Sequence, residues 1–553
     1  MNTCSKQRFL GGALALTVST AMVKVIGLVY KIPLMRILGA EGMGYFNSAY
    51  ELYTLFFVIA TAGIPVAISI MISENIAVGR LKNAERIFKI SLWTLIFVGL
   101  LGSLVLCMGA EKFAFAINSP SAVFAIMAVS PTLFFISVSG AVRGYFQGCR
   151  NMLPTAVSQV VESLGKLALG IFFALCAANA GMPVEKVAAF AILGLSVGTM
   201  ISTVYLCATL SYSGLSLENM SFDNVAEKRK NILKRLFVLA IPVTISSVLV
   251  SLTRIVDMFA LLNRLGDGVD KIVVYGSYST MALPIYNLPS SLVAGISLAL
   301  VPSITNAIES GQKEREKQLV ASAVKLSAMV ALPCALGIGV YAPQILALLF
   351  GRDTEAIDVS GRLLSALGAS VFASCLVQVT NSVLQANKKI ICPIISMLLG
   401  LAVKTVFAYW LVSVPQIGAM GAPISTLLCN VVAVAINLWF IGKYTSSHIC
   451  LTSILVKPLG VATASVAVSL AVYCCCVSLL YEERGSFLLA AFACVAFYGA
   501  MTAFGGVLDD DEYGMLPFGN KIKSVKKSIK SKDKNYEQRR KNCCASGKEK
   551  LPF

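Results

Sequence analysis

The sequence predicts an all-α, polytopic membrane protein with about fourteen transmembrane helices, and three observations lead to this fold class. The chain of 553 residues is 57% hydrophobic and only 13% charged, whereas about 25% of the residues of soluble domains are charged. Its mean hydropathy is +0.78. Long apolar stretches recur along the chain, and lysine and arginine clusters separate them. Together these features exclude an ordinary soluble protein and indicate a bundle of membrane-spanning helices.

Each predicted span is an apolar stretch bounded by turn residues or charges. A helix needs about 20 apolar residues to cross the hydrocarbon core of a bilayer. Several spans contain proline, which membrane helices tolerate where neighbouring helices satisfy the freed backbone groups. The predicted spans are 11–34, 45–72, 88–110, 121–147, 154–178, 185–210, 234–263, 274–306, 319–341, 357–387, 391–413, 418–441, 454–480 and 487–507.

The charges of the loops predict the orientation. With the N-terminus inside, the inner segments before the tail carry twenty lysines and arginines, whereas the outer loops carry eight. Twelve more lie between Lys521 and Lys550. Because positively charged loops remain cytoplasmic, we expect both termini in the cytoplasm. The first apolar run is too long for a signal peptide and contains lysines, so we expect it to be retained as a span.

A weak internal repeat divides the spans into two sets of six. Gln147–Asn151 resembles Gln385–Lys389, and each segment lies at a junction between two spans. The offset between these segments is 238 residues, and the same offset relates Lys166 to Lys404. Parallel repeats around a site near the middle of the membrane are a known plan of transporters.

The repeat predicts how the chain is divided. At a similar offset of 230 residues, Lys24 corresponds to Arg254. We therefore expect two six-helix lobes plus two C-terminal helices. The predicted units are an N-terminal lobe at 1–210, a cytoplasmic linker at 211–234, a C-terminal lobe at 235–445, two added spans at 446–510, and a basic cytoplasmic tail at 511–553.

Charged residues inside the predicted spans are the candidate functional residues. Glu162 and Lys166 are four residues apart, and Arg254 and Asp257 are three apart, so each pair could neutralise itself on its own helix. Alternatively, these charges face a cavity. The cations are Lys24, Lys31, Lys166, Arg254, Lys325 and Lys404, and the anions are Glu51, Glu162 and Asp257.

Lys24 and Lys404 are the hardest of these cations to explain as local structure. Both lie near the middle of a span and have no carboxylate three or four residues away. A lysine at mid-membrane costs about 2.5–3.5 kcal/mol on insertion scales and usually faces a bundle interior or a watery cavity. Glu51 could pair with Lys24 or Lys31, but three positive charges remain in excess. The pattern predicts a cavity for an anion, with unrecognised structural pairing as the alternative.

Phosphate is the anion that this cavity suits best, since lysine binds it as a point charge and arginine through a bidentate fork. The candidate binding residues are Lys24, Lys31, Arg254, Lys404 and Lys166, with Glu51, Glu162 and Asp257 as charge partners or coupling groups. A cationic cavity argues against an exporter of cations.

Other chemistry has little support in the sequence. No G-x-x-x-x-G-K-[ST] loop occurs, so we expect no nucleotide cofactor. His448 is the only histidine, and the 16 cysteines contain no C-x-x-C pair, so we expect no metal site and no enzymatic activity. The net charge of +18 reflects loops and tail, so it does not indicate a nucleic-acid partner. We expect the tail to contact anionic membrane lipids.

Five segments resemble the stage V sporulation protein B group, which belongs with the MurJ-like lipid flippases of the MOP exporter superfamily. They are Gly27–Leu34 (GLVYKIPL), Leu38–Gly44 (LGAEGMG), Thr61–Ser69 (TAGIPVAIS), Arg143–Gly148 (RGYFQG) and Ser297–Ile304 (SLALVPSI). The resemblance extends over roughly residues 8–445.

The resemblance implies two lobes that form a V, alternating access, and transport of undecaprenyl-diphosphate-linked sugars across a bacterial plasma membrane. It also implies a cavity lined with cations, on the first span among others. Lys24 and Lys31 occupy that region, and Arg254 lies on the first span of the second lobe. The chain departs from the pattern at Glu51, where proline is expected, and in Met281–Asn287, which lacks charged residues.

Two functions of different classes remain open. The first is a flippase for a lipid-linked saccharide such as lipid II or a related envelope precursor. The second is a cation-coupled multidrug exporter of the MATE type, which an acidic cavity would favour. A scaffold for cell-envelope synthesis proteins is a third possibility, but it leaves the lysines in the membrane unexplained. The expected partners are a lipid-linked anionic saccharide and membrane lipids.

Overall fold

The structure is a computed structural model that describes residues 3–212, 227–351, 354–444, 451–480 and 483–504. Most of the predicted linker and the whole basic tail lie outside the described residues. The described chain is almost entirely helical. Its α-helices are α1 Thr3–Thr61, α2 Ile64–Ala77, α3 Leu81–Met108, α4 Ala110–Ala116, α5 Val123–Val129, α6 Thr132–Gly148, α7 Leu153–Asn179, α8 Val184–Tyr212, α9 Arg229–Arg264, α10 Lys271–Ser277, α11 Leu283–Glu309, α12 Lys313–Phe350, α13 Thr354–Ala386, α14 Ile391–Ser413, α15 Gly421–Tyr444, α16 Leu451–Leu480 and α17 Glu483–Phe504.

Helix α1 is a hairpin of two arms, residues 3–38 and 40–61, that reverses at Gly39. The backbone of Gly39 has φ 65° and ψ −176°, a combination that is essentially restricted to glycine. The rings of Tyr30 and Phe46 lie 6.1 Å apart between centroids. An uninterrupted helix would separate these residues by about 24 Å along its axis. The two arms therefore cross the membrane in opposite directions.

The number of crossings agrees with the sequence. Within the described residues, twelve helices are long and apolar enough to cross a membrane, or thirteen if the bent pair Lys271–Ser297 and Leu300–Glu309 forms one span. One of these twelve is the segment Val18–Ala77, which contains 60 residues of α1 and α2. Such a length corresponds to about 90 Å, against a hydrocarbon thickness of about 30 Å. The Gly39 hairpin divides this segment into two crossings. With the bent pair counted as one span, the described helices then make fourteen crossings, as the sequence predicts.

Within the predicted span 45–72 the structure has a helix break at Gly63. Helix α1 ends at Thr61, and α2 begins with Pro65 in its first turn. Proline has no backbone N–H to continue the preceding helix. Gly63 also lies against the carbonyl oxygen of Ala240 in α9, where a methyl group would collide. The break therefore allows α9 to pack against the chain at this point.

Two junctions with the same backbone conformation support the internal repeat. Arg150 has φ 60° and Lys388 has φ 59°, and these residues are 238 positions apart. The amide of each donates to the carbonyl of the glutamine three residues earlier, at 3.0 and 2.9 Å. A left-handed residue is uncommon outside glycine, so its recurrence at the repeat offset indicates that the two junctions are built alike.

The helices form a first lobe (α1–α8) and a second lobe (α9–α15), followed by α16 and α17. In the first lobe α1 packs on α7 and α8, and in the second lobe α13 packs on α11, α12 and α15. Helix α16 packs on α12 and α17. The lobes meet where α1 contacts α9 and α10. There Gly44 lies against the backbone of Ile272, and Gly276 against the carbonyl of Ala40. Glycine on both sides allows this close approach of the two backbones.

Candidate functional site

The candidate site is a group of four charged side chains at the boundary of the two lobes, which we call the inter-lobe cluster. It consists of Lys31 and Glu51 from the two arms of α1, Lys166 from α7 and Arg254 from α9. Glu51, Lys166 and Arg254 all lie within electrostatic range of Lys31. The Gly39 hairpin brings the arms together, and the packing of α7 and α9 against α1 brings in the other two cations.

Lys31 is linked to the second lobe by a hydrogen bond. Its Nζ donates to the backbone carbonyl of Ser279 at 2.8 Å. Ser279 lies in a π-helical turn, Tyr278–Ala282, between α10 and α11. Single π-helical turns are rare, and many of those that occur lie at functional sites. Next to this bond, the amide of Asn47 donates to the hydroxyl of Thr280 at 2.7 Å. Both contacts connect α1 to the same turn of the second lobe.

Arg254 and Glu51 form a further link between the lobes. Arg254 Nη1 lies 3.4 Å from Glu51 Oε1, and the arginine side chain is one-third exposed. The other oxygen, Glu51 Oε2, is buried and has no hydrogen-bond partner among the described residues. The possible local pair of Arg254 with Asp257 is not formed. Arg254 therefore bonds to a carboxylate of the opposite lobe through a contact that is longer than an ordinary hydrogen bond.

Lys404 is part of a buried ion pair within the second lobe. Its Nζ donates to Asp257 Oδ2 at 2.8 Å and to the hydroxyl of Thr426 at 2.7 Å. The side chains of Lys404 and Asp257 are only 2% and 3% exposed. The structure therefore corrects the expectation that Lys404 lines an open anion cavity. Its charge is neutralised by α9, because α14 packs on that helix.

Glu162 and Lys166 do not form the possible pair on α7 either. Glu162 bonds instead to Arg143 Nη2 at 2.8 Å, and Arg143 also donates to the hydroxyls of Ser158 and Ser202. Arg143 was not among the charged residues that the sequence analysis placed inside the spans, so this pair was not predicted. The signal that could have found it is the position of Arg143 inside an apolar run, five residues before α6 ends.

Lys166 contacts aromatic rings rather than a carboxylate. Its Nζ lies 4.4 Å from the centroid of the Tyr50 ring and 5.5 Å from that of Tyr30. Cation–π contacts of this kind contribute about 0.5–2 kcal/mol and leave the positive charge uncompensated. A cavity of about 210 Å³ opens beside Lys166 and is lined by Tyr30, Tyr50, Tyr53 and Glu162. Lys166 therefore presents an available positive charge to a small cavity of the first lobe.

Lys24 lies outside the inter-lobe cluster. It is exposed on the first arm of α1 and forms no ion pair among the residues that the structure describes. It shares a helix face with Lys31, since seven residues are almost two helical turns, and lies about 10 Å from it along the axis. The structure thus places Lys24 beside the cluster on the same face, but not in contact with it.

The charge of the inter-lobe cluster follows from these partners. Lys31, Lys166 and Arg254 contribute three positive charges, and Glu51 contributes one negative charge. The Arg143–Glu162 and Lys404–Asp257 pairs are each neutral. With every group counted as ionised, the cluster therefore has a formal net charge of +2, and Lys24 adds a third positive charge nearby. Such an excess inside a membrane protein favours an anionic ligand.

The chain is similar to known families of membrane proteins. Residues 9–308 match the family model described as "Polysaccharide biosynthesis protein", and residues 242–410 match the model described as "MatE". Stage V sporulation protein B of Bacillus subtilis is 25% identical over 85% of this chain and 88% of its own length. Lipid II flippase MurJ of the same organism is 25% identical over 76% of this chain and 80% of its own length.

A solved structure has the same fold. The structure described as "Lipid II flippase MurJ, inward closed conformation" aligns with a TM-score of 0.68 at 13% identity and covers 89% of this chain and 98% of that one. At this identity the likeness concerns the fold alone. It agrees with the fold class predicted from the sequence.

Proposed function

The chain belongs to the polysaccharide biosynthesis protein family, and we propose that it is a flippase that moves an undecaprenyl-diphosphate-linked saccharide across the plasma membrane. The net charge of the inter-lobe cluster carries this proposal. A diphosphate diester carries about two negative charges near neutral pH, and crossing hydrocarbon without compensation would cost it far more than crossing a cationic cavity. The cluster offers two compensating charges, and the similarity of the chain to lipid II flippase MurJ supports a lipid-linked cargo.

In the proposed mechanism the diphosphate replaces the present partners of the cluster. Lys31 exchanges the Ser279 carbonyl for a phosphate oxygen, and Arg254 exchanges Glu51 for a bidentate contact. Both present partners belong to the opposite lobe, so binding weakens two links between the lobes. Loss of these links permits the lobes to separate at one face and to close at the other. This is the coupling that alternating access requires.

The polyprenyl tail remains in the bilayer while the headgroup crosses. Lys24 suits a first contact with the headgroup, because it is exposed and lies on the face that leads to Lys31. We further propose that residues 1–210 and 235–445 move as the two lobes and that both termini are cytoplasmic. Contacts with cell-envelope synthesis proteins remain a prediction.

The test measures rescue of cells depleted of their own lipid II flippase. Lys31→Ala and Arg254→Ala each remove one charged contact to the diphosphate, and such contacts contribute about 1.5–3 kcal/mol. We expect transport to fall by about 10- to 100-fold at normal protein abundance. Lys186→Ala is the matched control, because Lys186 is an exposed cation beside Phe124 and outside the cluster. Normal rescue by both cluster variants would contradict the proposal.

A cation-coupled multidrug exporter is the second candidate, and the match of residues 242–410 to the MatE model favours it. An exporter of cationic drugs needs carboxylates that face its substrate. In the described residues Glu162 and Asp257 each lie 2.8 Å from a cation. Glu51 has only the longer 3.4 Å contact with Arg254, and its second oxygen has no hydrogen-bond partner there, so Glu51 is the candidate for that task. The assay compares efflux of a cationic dye with rescue of the flippase-depleted cells. Dye efflux that depends on Glu51, without rescue, would favour the exporter.

A further inference from the structure

A groove on the membrane-facing surface, separate from the inter-lobe cluster, combines cationic and aromatic side chains. It has a volume of about 740 Å³ and lies between α3 of the first lobe and the beginning of α9 of the second. Next to it, Arg235 of α9 forms an ion pair with Glu74 of α2. The groove therefore crosses the boundary of the two lobes on the face that the sequence predicts to be cytoplasmic.

One end of the groove is cationic. Arg86 and Lys89 project from the first turns of α3, and Arg229 is the first residue of α9. Lys89 bonds to Glu85 at 2.9 Å. Arg86 and Arg229 are exposed, and neither forms a hydrogen bond or ion pair with another residue in the described part of the chain. This end therefore presents two guanidinium groups, which suit a phosphate.

The other end of the groove is apolar and aromatic. Trp93 and Phe97 are 67% and 65% exposed, and Phe237 is 41% exposed. Phe97 lies eleven residues after Arg86 on α3, which corresponds to about 16 Å along the helix. Half of the hydrocarbon core of a bilayer is about 15 Å thick. With Arg86 at the level of the headgroups, the aromatic side chains reach down to the middle of the membrane.

We propose that this groove binds an anionic glycerophospholipid of the inner leaflet, such as phosphatidylglycerol or cardiolipin. The phosphate lies between Arg86 and Arg229, and the acyl chains lie along Trp93, Phe97 and Phe237. Basic pockets between transmembrane helices on the cytoplasmic side are known to bind such headgroups. A glycerophospholipid is the chosen occupant because the groove opens to the leaflet, where these lipids are the abundant anions. Since one arginine belongs to each lobe, the bound lipid stabilises the present arrangement of the lobes.

The test measures lipid binding to the purified full chain and is independent of what the protein transports. In detergent, cardiolipin should raise the melting temperature, whereas phosphatidylcholine should not. Arg86→Gln/Arg229→Gln should weaken the apparent affinity for cardiolipin at least tenfold. Lys313→Gln/Arg315→Gln is the matched control, because it removes the same charge from exposed positions at the start of α12. Wild-type affinity in the first double variant would overturn the proposal.

A second measurement locates the acyl chains. The chain contains three tryptophans, so Trp410→Phe/Trp439→Phe leaves Trp93 as the fluorophore. Phosphatidylglycerol with brominated acyl chains should quench Trp93 saturably, and Arg86→Gln/Arg229→Gln should abolish the saturable part. Equal quenching by brominated phosphatidylcholine would overturn the proposal. Undecaprenyl phosphate is the third probe, and its ability to displace bound cardiolipin is compared with that of unlabelled phosphatidylglycerol. If undecaprenyl phosphate displaces cardiolipin at the lower concentration, the groove binds polyprenyl lipids instead of glycerophospholipids.

Discussion

Replacement of Lys404 by methionine tests whether this lysine is structural. Lys404→Met leaves the carboxylate of Asp257 buried, 3% exposed, without its 2.8 Å partner. Removal of one member of a buried ion pair destabilises a protein by about 3–5 kcal/mol. A domain of the size of one lobe loses about 2–4 °C of melting temperature per kcal/mol. We therefore expect a decrease of about 6–20 °C.

The double variant Lys404→Met/Asp257→Leu separates the charge from the packing. It removes both charges and fills the space with apolar side chains, a replacement that is often neutral or stabilising. Thr426 keeps its own bond to the carbonyl of Ala422 at 2.9 Å, so its hydroxyl is not left without a partner. We expect the double variant to recover most of the melting temperature and to retain transport.

The assay is thermal unfolding of the purified protein in detergent, followed by fluorescence, together with rescue of flippase-depleted cells. Arg143→Met is a useful comparison, because it breaks the corresponding pair with Glu162 in the first lobe. If Lys404→Met melted like the wild type but abolished transport, the reasoning would be refuted. Lys404 would then bind the substrate, as the sequence alone suggested.

Three further predictions concern the hairpin, the first-arm lysine and the topology. Gly39→Ala should lower stability by about 1–3 kcal/mol, because its φ of 65° suits only glycine. Gly27→Ala lies inside a helix and also has open space for a methyl group, so the same melting assay should show an unchanged or higher melting temperature. Lys24→Ala should reduce rescue about tenfold or more at normal abundance, and Lys24→Arg should retain part of it, since the charge survives; full rescue by Lys24→Ala would make this lysine structural. In a cysteine-free background, Asp267→Cys should react with a membrane-impermeant maleimide added outside intact cells and Gln312→Cys should not; the opposite result would reverse the orientation.

The fold was largely predictable from the sequence. Apolar length and loop charge predicted the spans because the bilayer sets both requirements. The 238-residue offset predicted the repeat, and the matching backbones of Arg150 and Lys388 support it. Proline inside a span was expected, but hydropathy alone does not place the helix break at Gly63. The glycine and the proline two residues later were the available signals.

By itself the sequence determined that this chain spans the membrane many times and that its spans contain charged residues. Only the tertiary structure decided which of these charges neutralise one another. Spacing on one helix allowed Glu162 to pair with Lys166 and Arg254 with Asp257, but Glu162 pairs with Arg143 and Asp257 with Lys404. The physical reason is that a charge in a low-dielectric interior needs a close partner with good geometry. Helix packing, and not helical spacing, determines which partner reaches that position, and it leaves the inter-lobe cluster with its excess of positive charge.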